Sequence, residues 1–291
     1  MTVRATFPAL GQQPLVSIVT PSFNQGRFIR RTIESVLAQT YPNIEYVVVD
    51  GGSTDETVDI LRSYGDGVRW LSEADAGQTD AINKGLRLTN GDIVGYLNSD
   101  DVLLPEAIAR VVEHLRNHPE CDLVYGAADY IDDEDRVTGA YPTADYSFER
   151  LMEDCCICQP AAYWRASVTE SVGPFDKTVH FAMDYEYWLR VDRSGFVIQH
   201  LAERLAQSRL HPEAKTLSAR SEIFGEIFDV CRRHGGYVSR NYVYGYWEHR
   251  AEEPSGIGAR VLRKMPRLRV ACAEGHYWLL NRHGYSGRKR P

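Results

Sequence analysis

The chain has 291 residues, 43% of them hydrophobic and 25% charged, with a formal net charge of −7, the balance of ordinary globular material able to bury a sizeable core. No apolar run reaches the roughly eighteen residues a membrane span needs, and residues 1–14 lack an apolar stretch after Arg4. Neither a membrane span nor a signal peptide is expected, and a cytoplasmic location is.

Leu15–Thr20 is a short β-rich apolar run ending in the breaker-rich Pro21-Ser22-Phe23-Asn24-Gln25-Gly26. Phe28, Ile29, Ile33, Val36 and Leu37 then recur at helical spacing, which predicts a helix from about Gly26 to Gln39, broken by Tyr41-Pro42-Asn43. Ile44–Val49 reads as a strand running into Asp50-Gly51-Gly52-Ser53-Thr54-Asp55, where Thr54 or Asp55 can cap a helix to about Tyr64. A third strand is expected over 68–72, a third helix over 78–88 and a fourth strand over 93–97. That last strand runs straight into Asn98-Ser99-Asp100-Asp101, crowding two anions at its end, an arrangement that serves a cation, a helix cap or both.

Regular alternation of strand and helix implies right-handed crossovers and a mostly parallel sheet covered on both faces. Ligands of such sheets sit beyond the carboxyl ends of the strands, and all four strands here end in polar or small residues, at 20–24, 50–53, 73–78 and 98–101. Four loops therefore converge on one crevice. The rhythm changes after a helix at 106–117: a strand over 123–132, the acidic turn Asp132-Asp133-Glu134-Asp135, a helix over 146–153, a strand over 159–164, a helix over 184–194 and a return strand over 197–202. No linker separates the two halves. The six cysteines, with their cluster Cys155-Cys156-Ile157-Cys158, lack a second pair at finger-like spacing and read as buried free thiols on a core strand.

No Gly-x-Gly-x-x-Gly follows the first strand and no Gly-x-x-x-x-Gly-Lys-Ser/Thr occurs, which excludes the two commonest nucleotide loops. A carboxylate-rich crevice suits instead a nucleotide whose phosphates are screened by a divalent metal. Thr20-Pro21-Ser22-Phe23-Asn24, Asp50-Gly51-Gly52-Ser53-Thr54-Asp55, Asn98-Ser99-Asp100-Asp101 and Met183-Asp184-Tyr185-Glu186-Tyr187-Trp188-Leu189-Arg190 follow one another in the order that marks family 2 glycosyltransferases. The chain resembles that family over roughly residues 14–215.

The resemblance implies an α/β GT-A fold: a Rossmann-like nucleotide-sugar half at about 15–120, continuous with an acceptor half at 121–215, after a lead at 1–14 and before a helical, basic extension at 216–291. It implies that Thr20, Pro21 and Phe23 line a base pocket with Asn24, Gly51 and Ser53 alongside, and that Asp50 accepts a hydrogen bond from a base imide, which favours a UDP-sugar. A turn role for Asp50 is the alternative. Asp75, Gln78 and Lys84 would reach ribose or phosphate, although Asp80 and Lys84 also form an i, i+4 pair on a solvated helix face. Asn98 stands where the family often has the first carboxylate; Asn98 or Ser99 would touch the ribose, and Asp100, with Asp101 as second candidate, would bind Mn²⁺ or Mg²⁺. Asp101 is equally suited to cap a helix beginning near Leu104. His211 lies where relatives close the site and would ligate the metal or meet the diphosphate; the alternative is a surface histidine.

Asp184 is the expected base for the acceptor hydroxyl, with Glu186 the second choice and an N-cap the structural alternative. The function so implied is metal-dependent, inverting transfer from a nucleoside-diphosphate sugar to a glycan or lipid-linked acceptor in surface polysaccharide synthesis. A catalytically silent nucleotide-sugar or glycan-binding module is the alternative, and a metal-dependent phosphoesterase or nucleotidyltransferase a third. Past the resemblance, Ile223, Phe224, Ile227, Phe228 and Val230 predict a helix packed on the catalytic domain. From Gly256 onward nine Arg and Lys face Glu274 alone, a net +8 that leaves −15 on the remainder. The acidic body argues against nucleic-acid binding, whereas the basic tail fits either peripheral contact with the inner face of an anionic membrane or a solvated charge run.

Overall fold

The computed structural model describes residues 10–215, 220–252 and 257–282. Strand and helix alternate as expected through β1 (Val16–Ser22), α1 (Gly26–Leu37), β2 (Ile44–Asp50), α2 (Thr57–Ser63), β3 (Arg69–Ser72), α3 (Gln78–Arg87) and β4 (Ile93–Tyr96). These strands pair in parallel, β1 between β2 and β4 with β3 outside β2. Successive side chains point to opposite faces. Ile18 and Val48 therefore pack with Ile29 and Ile33 of α1 and Leu61 of α2, while Val19, Val47 and Val49 meet Ala81 and Ile82 of α3. Gly85 lets α3 lie flat on β1, since any Cβ there would run into Val19.

Beyond β4 come β5 (Val102–Leu103), α4 (Ala107–Asn117), β6 (Leu123–Ile131), β7 (Val137–Ala140), α5 (Phe148–Glu153), β8 (Ala162–Arg165), α6 (Ala166–Val172), α7 (Met183–Arg193) and β9 (Ile198–Arg209). The described residues build one nine-stranded sheet, ordered β3-β2-β1-β4-β8-β6-β9-β5 with β7 on β6. β8 runs antiparallel to both β4 and β6, so the first half is parallel and the whole sheet mixed. The return strand is longer than its sequence pattern: the exposed Glu203 and Arg204 interrupt the apolar run, yet two bulges keep β9 paired with β6 as far as Arg209. Pro160 holds Gln159–Ala161 in a single 3₁₀ turn, and the strand expected from 159 begins at Ala162. The cysteine cluster lies in the irregular segment before that turn, not on a strand; its thiols are free, as expected, with Cys156 and Cys158 buried.

Four helices complete the described chain: α8 (Arg220–Gly235), α9 (Arg240–Glu252), α10 (Ile257–Lys264) and α11 (Pro266–Asn281). Phe224, Phe228, Val230 and Cys231 of α8 join the core that holds α7, as the sequence pattern predicts. The basic stretch is largely helical, and residues 1–9 and 283–291 lie outside the described residues. No described helix is long and apolar enough to cross a membrane.

Candidate active site

Pairing register sets Ser22, Asp50 and Ser72 level with one another at the ends of β1, β2 and β3. Asp50 is fully buried. Its Oδ2 accepts the N–H groups of Gly52 (3.1 Å) and Ser53 (2.9 Å) and the Ser72 hydroxyl (2.7 Å), while Oδ1 accepts the Ser53 hydroxyl (2.5 Å). A carboxylate offers about four acceptor positions, so the turn role of Asp50 is realised in full. Asn24 holds a left-handed conformation at φ 52°; it accepts the Thr54 N–H (2.9 Å) and donates its own N–H to Ser53 Oγ (2.7 Å). The loops after β1 and β2 are thereby tied together. Above them the Phe23 ring is 60% exposed. Thr20 corrects the sequence reading: it is fully buried on the α1 side of the sheet, where its hydroxyl accepts from Tyr46 at 3.0 Å, and it lines no pocket. Pro21 is buried as well. Asp75 accepts the Gly77 N–H (2.8 Å) and lies so close over Gly51 that a Cβ there would stand 2.9 Å from Asp75 Oδ2.

A chain of amides crosses the crevice floor. Lys215 Nζ donates to Gln78 Oε1 (2.7 Å) and Gln78 Nε2 donates to Asn98 Oδ1 (2.7 Å). Asn98 Nδ2 donates to Gln159 Oε1 (3.0 Å) and Asp101 Oδ2 (3.3 Å), and Gln159 Nε2 donates to the Tyr96 carbonyl (2.6 Å). The Asn98 amide suits this place because it donates towards the Asp101 carboxylate and Gln159 while accepting from Gln78 at once. Ser99 is buried, which leaves the half-buried Asn98 as the exposed member of the pair.

Asp100 and Asp101 part company. Asp100 Oδ2 lies 3.1 Å from His211 Nε2, and the His211 ring is 2% exposed and packed on Phe28 with centroids 4.9 Å apart. Asp101 turns inward. Its Oδ1 accepts the Arg209 N–H (2.8 Å), its Oδ2 faces Asn98, and burial followed by repulsion from Asp100 pushes its pKa up to about 8. That geometry corrects its assignment as a metal ligand, and β5 separates it from α4, whose N-cap is Glu106, so it caps no helix either. Arg209 clamps the whole corner: Nε donates to the Asp100 carbonyl (2.8 Å), the guanidinium reaches Asp132 O and Asp135, and its Cζ lies 4.9 Å from the Phe28 centroid. Asp100 supplies a hard oxygen and His211 an imidazole nitrogen; among the described residues no third His, Cys, Asp or Glu joins them. Two such ligands fit a divalent ion that fills its other positions with water and substrate phosphate, and they do not fit a closed structural site.

Asp184 is the second residue of α7. Its Oδ1 accepts the Tyr185 N–H (2.7 Å), while the N-cap position of the helix falls on Ala182 and not on Asp184. Burial pushes the Asp184 carboxyl up to about 6, close to the working range of a general base. Tyr96, Tyr141, Cys155 and Cys158 all lie within its electrostatic reach. Glu186 is settled differently. It is 2% exposed and bonded to Arg190 (2.9 Å) and His234 (3.1 Å); burial alone would raise its pKa, but those two partners hold it below the usual value. Lys84 also corrects the sequence reading: it pairs with Glu73 (2.9 Å) and Asp80 (3.5 Å) in the second half of α3, withdrawn from the crevice that Gln78 faces.

Sequence reasoning missed Gln159, Arg209, Lys215 and Glu226. The first three sit beside segments it did single out, but nothing in a lone Gln, Arg or Lys says which strand end it will meet. Lys215, whose pKa burial lowers while Glu226, Asp75 and Asp100 pull it up, stands at the end of the amide chain on Gln78. Glu226 reaches in from α8, and its three backbone contacts before α7 are described below.

Residues 17–167 match the profile of the family described as Glycosyl transferase family 2. An uncharacterized glycosyltransferase of Rickettsia prowazekii (strain Madrid E) is 32% identical over 224 residues, spanning 72% of this chain and 68% of that protein. Among solved structures, the mannosyltransferase PcManGT from Pyrobaculum calidifontis, in complex with GDP-Man and Mn²⁺, is similar with a TM-score of 0.63 at 17% identity, over 95% of this chain and 86% of its own. S. aureus TarS 1-349 in complex with UDP-GlcNAc is similar with a TM-score of 0.60 at 16% identity, over 91% of this chain and 81% of its own. At such identities the likeness is one of fold.

Proposed function

The chain belongs to glycosyl transferase family 2, and from that membership we propose metal-dependent, inverting transfer of a sugar from a nucleoside-diphosphate sugar, a UDP-sugar before others, to a hydroxyl of a glycan or lipid-linked acceptor in surface polysaccharide synthesis. That it is a glycosyltransferase of GT-A fold follows from the membership itself. The finer reading rests on one observation above all: the Asp100–His211 pair at 3.1 Å and the polar Lys215-Gln78-Asn98 chain share one end of the sheet with Asp184, a carboxylate that burial holds near 6.

Donor binding falls to residues 15–120 and acceptor binding to 121–215, with 216–291 an extension. The exposed Phe23 ring stacks on the base, and Asp50, its acceptor positions filled by the turn, holds the Gly51–Ser53 loop in place for it. Asp75, Gln78 and Asn98 meet ribose or phosphate. Asp100 and His211 hold Mn²⁺ or Mg²⁺, which when bound would neutralise charge on the departing diphosphate, and Lys215 adds a cation at the same place. Asp184 takes the proton of the acceptor hydroxyl as that oxygen attacks the anomeric carbon. Displacement in a single in-line step, hence inversion, is what the family resemblance implies for a site with one such base.

A membrane-borne acceptor is favoured by α10 and α11, where Leu268, Trp278 (67% exposed) and Leu279 (51% exposed) stand out among Arg260, Lys264, Arg267 and Arg269. Exposed apolar side chains among cations suit the inner face of an anionic membrane. Asn98 favours a second reading, a nucleotide-sugar-binding module without turnover, because its amide leaves Asp100, among the described residues, as the one carboxylate facing His211. A thermal-shift screen of UDP- and GDP-sugars with Mn²⁺ tests the donor site, since a ligand of the folded state raises Tm by mass action. One donor should stand out with Mn²⁺ and fade with EDTA; a flat response to all of them contradicts the proposal. Release of nucleoside diphosphate then separates the enzyme from the silent module.

A further inference from the structure

Asp184 depends on how the chain runs into α7, and the residues there, His180-Phe181-Ala182, include none of the Ser, Thr, Asp or Asn side chains that usually fix a helix start. The acceptor comes from α8. Glu226 Oε1 takes the His180 N–H at 2.8 Å, and Oε2 takes the N–H groups of Phe181 at 2.7 Å and Ala182 at 2.9 Å. One carboxylate thus holds three successive backbone donors, two residues ahead of the proposed base. Charge-assisted bonds of this kind are roughly twice as strong as neutral ones.

Glu226 is itself held in place. Phe224 and Phe228, on either side of it in sequence, are buried in the core shared with Met183 and Tyr185, and Arg233 farther along α8 pairs with Asp176 at 2.9 Å. It lies outside residues 17–167, the part of the chain that matches the family profile.

We infer that Glu226 is a positioning residue, which fixes the chain leading into α7 and through it the Asp184 carboxylate, so that the C-terminal extension is part of the transfer machinery. The inference rests on the transfer reading above. A displacement of about 1 Å at a reacting group can cost on the order of 100-fold in rate, and loss of three anchoring bonds permits a shift of that size.

The test compares Glu226→Ala and Glu226→Gln with Arg233→Ala, which loosens α8 elsewhere but leaves the three amides bonded. Nucleoside diphosphate release from UDP-GlcNAc, UDP-glucose, UDP-galactose and GDP-mannose is followed with Mn²⁺, together with amide hydrogen exchange over residues 180–184. Glu226→Ala should lower kcat about 10- to 100-fold with donor KM changed less than about twofold, and should speed exchange at the three amides. Glu226→Gln, which keeps an acceptor, should fall between it and the parent, and Arg233→Ala should match the parent. Unchanged kcat in folded Glu226→Ala, a KM effect alone, or an equal loss in Arg233→Ala overturns the inference. If Glu226→Ala does not fold, Glu226→Gln is judged by the same criteria. If the parent turns over no donor, the transfer reading fails by itself, and the exchange result decides whether Glu226 pins α7: faster exchange upholds the pin, unchanged exchange removes it.

Discussion

Replacing Asn98 by Asp would restore the carboxylate that the family often has at this position, yet the geometry predicts a less stable protein. Asn98 Nδ2 donates to Gln159 Oε1 at 3.0 Å and to Asp101 Oδ2 at 3.3 Å. An aspartate in its place turns both contacts into oxygen facing oxygen. Gln159 cannot answer by flipping its amide, because Nε2 is committed to the Tyr96 carbonyl at 2.6 Å. A buried acceptor stripped of its donor costs about 1–3 kcal/mol, and two are stripped here once Asp101 ionises above its pKa of about 8, with repulsion from Asp101 added. A loss of about 2–5 kcal/mol corresponds to a fall in Tm of roughly 5–15 °C for a chain of this size. Thermal unfolding followed by circular dichroism at pH 9, where Asp101 is ionised, and without metal measures it. Asn98→Ala, which removes the donors without adding charge, should lie between the parent and Asn98→Asp. A variant Asn98→Asp as stable as the parent, or more stable than Asn98→Ala, would refute the amide chain as the reason for this residue.

Asp184 makes two further predictions. Because its carboxyl is raised to about 6 by burial, the acidic limb of the rate profile should rise about tenfold per pH unit up to about 6 and then level off; a plateau extending down to pH 4.5 would exclude it as the base. The same shift sets the sign for stability. A carboxyl whose pKa is higher folded than unfolded destabilises the fold progressively as pH rises from about 4 to 6, so Asp184→Asn should melt higher than the parent at pH 7 and with the parent near pH 3.5. Equal Tm at both pH values would show that burial does not strain this group. For the basic helices, the intact chain should co-sediment with anionic phosphatidylglycerol vesicles and be released by Trp278→Ser with Leu279→Ser or by high salt; equal recovery on neutral phosphatidylcholine vesicles would sink the membrane contact.

The order of strands and helices was legible because apolar periodicity and breakers agree over the parallel half, where β1, β4 and most of β2 are buried on both faces. β9 was harder to follow. Its pairing partner carries it through Glu203 and Arg204, and local pattern cannot register a ladder made 75 to 78 residues away. At the site, the residues that face the crevice by virtue of a strand end were readable: Asp100, Asn98, Gln78 and, through its helix, Asp184. Those whose role depends on which way a strand's alternation turns them were not. Thr20 lies one residue from Pro21 and points into the α1 layer; Asp101 lies one residue from Asp100 and points at Arg209. His211 was found from the segment it sits in, but its meeting with Asp100 depends on the bulges of β9. Glu226 carried no signal, since a single glutamate on an amphipathic helix does not reveal that its partners are backbone amides.

Turnover of a nucleotide sugar tests the central claim most directly. Release of nucleoside diphosphate by the intact chain, with the donor that most raises Tm, should require Mn²⁺ or Mg²⁺, stop on EDTA, and fall about 10²- to 10⁴-fold in Asp184→Asn with donor binding retained. No release from any donor, or release by Asp184→Asn at the parent rate, would contradict a transferase that uses Asp184 as its base.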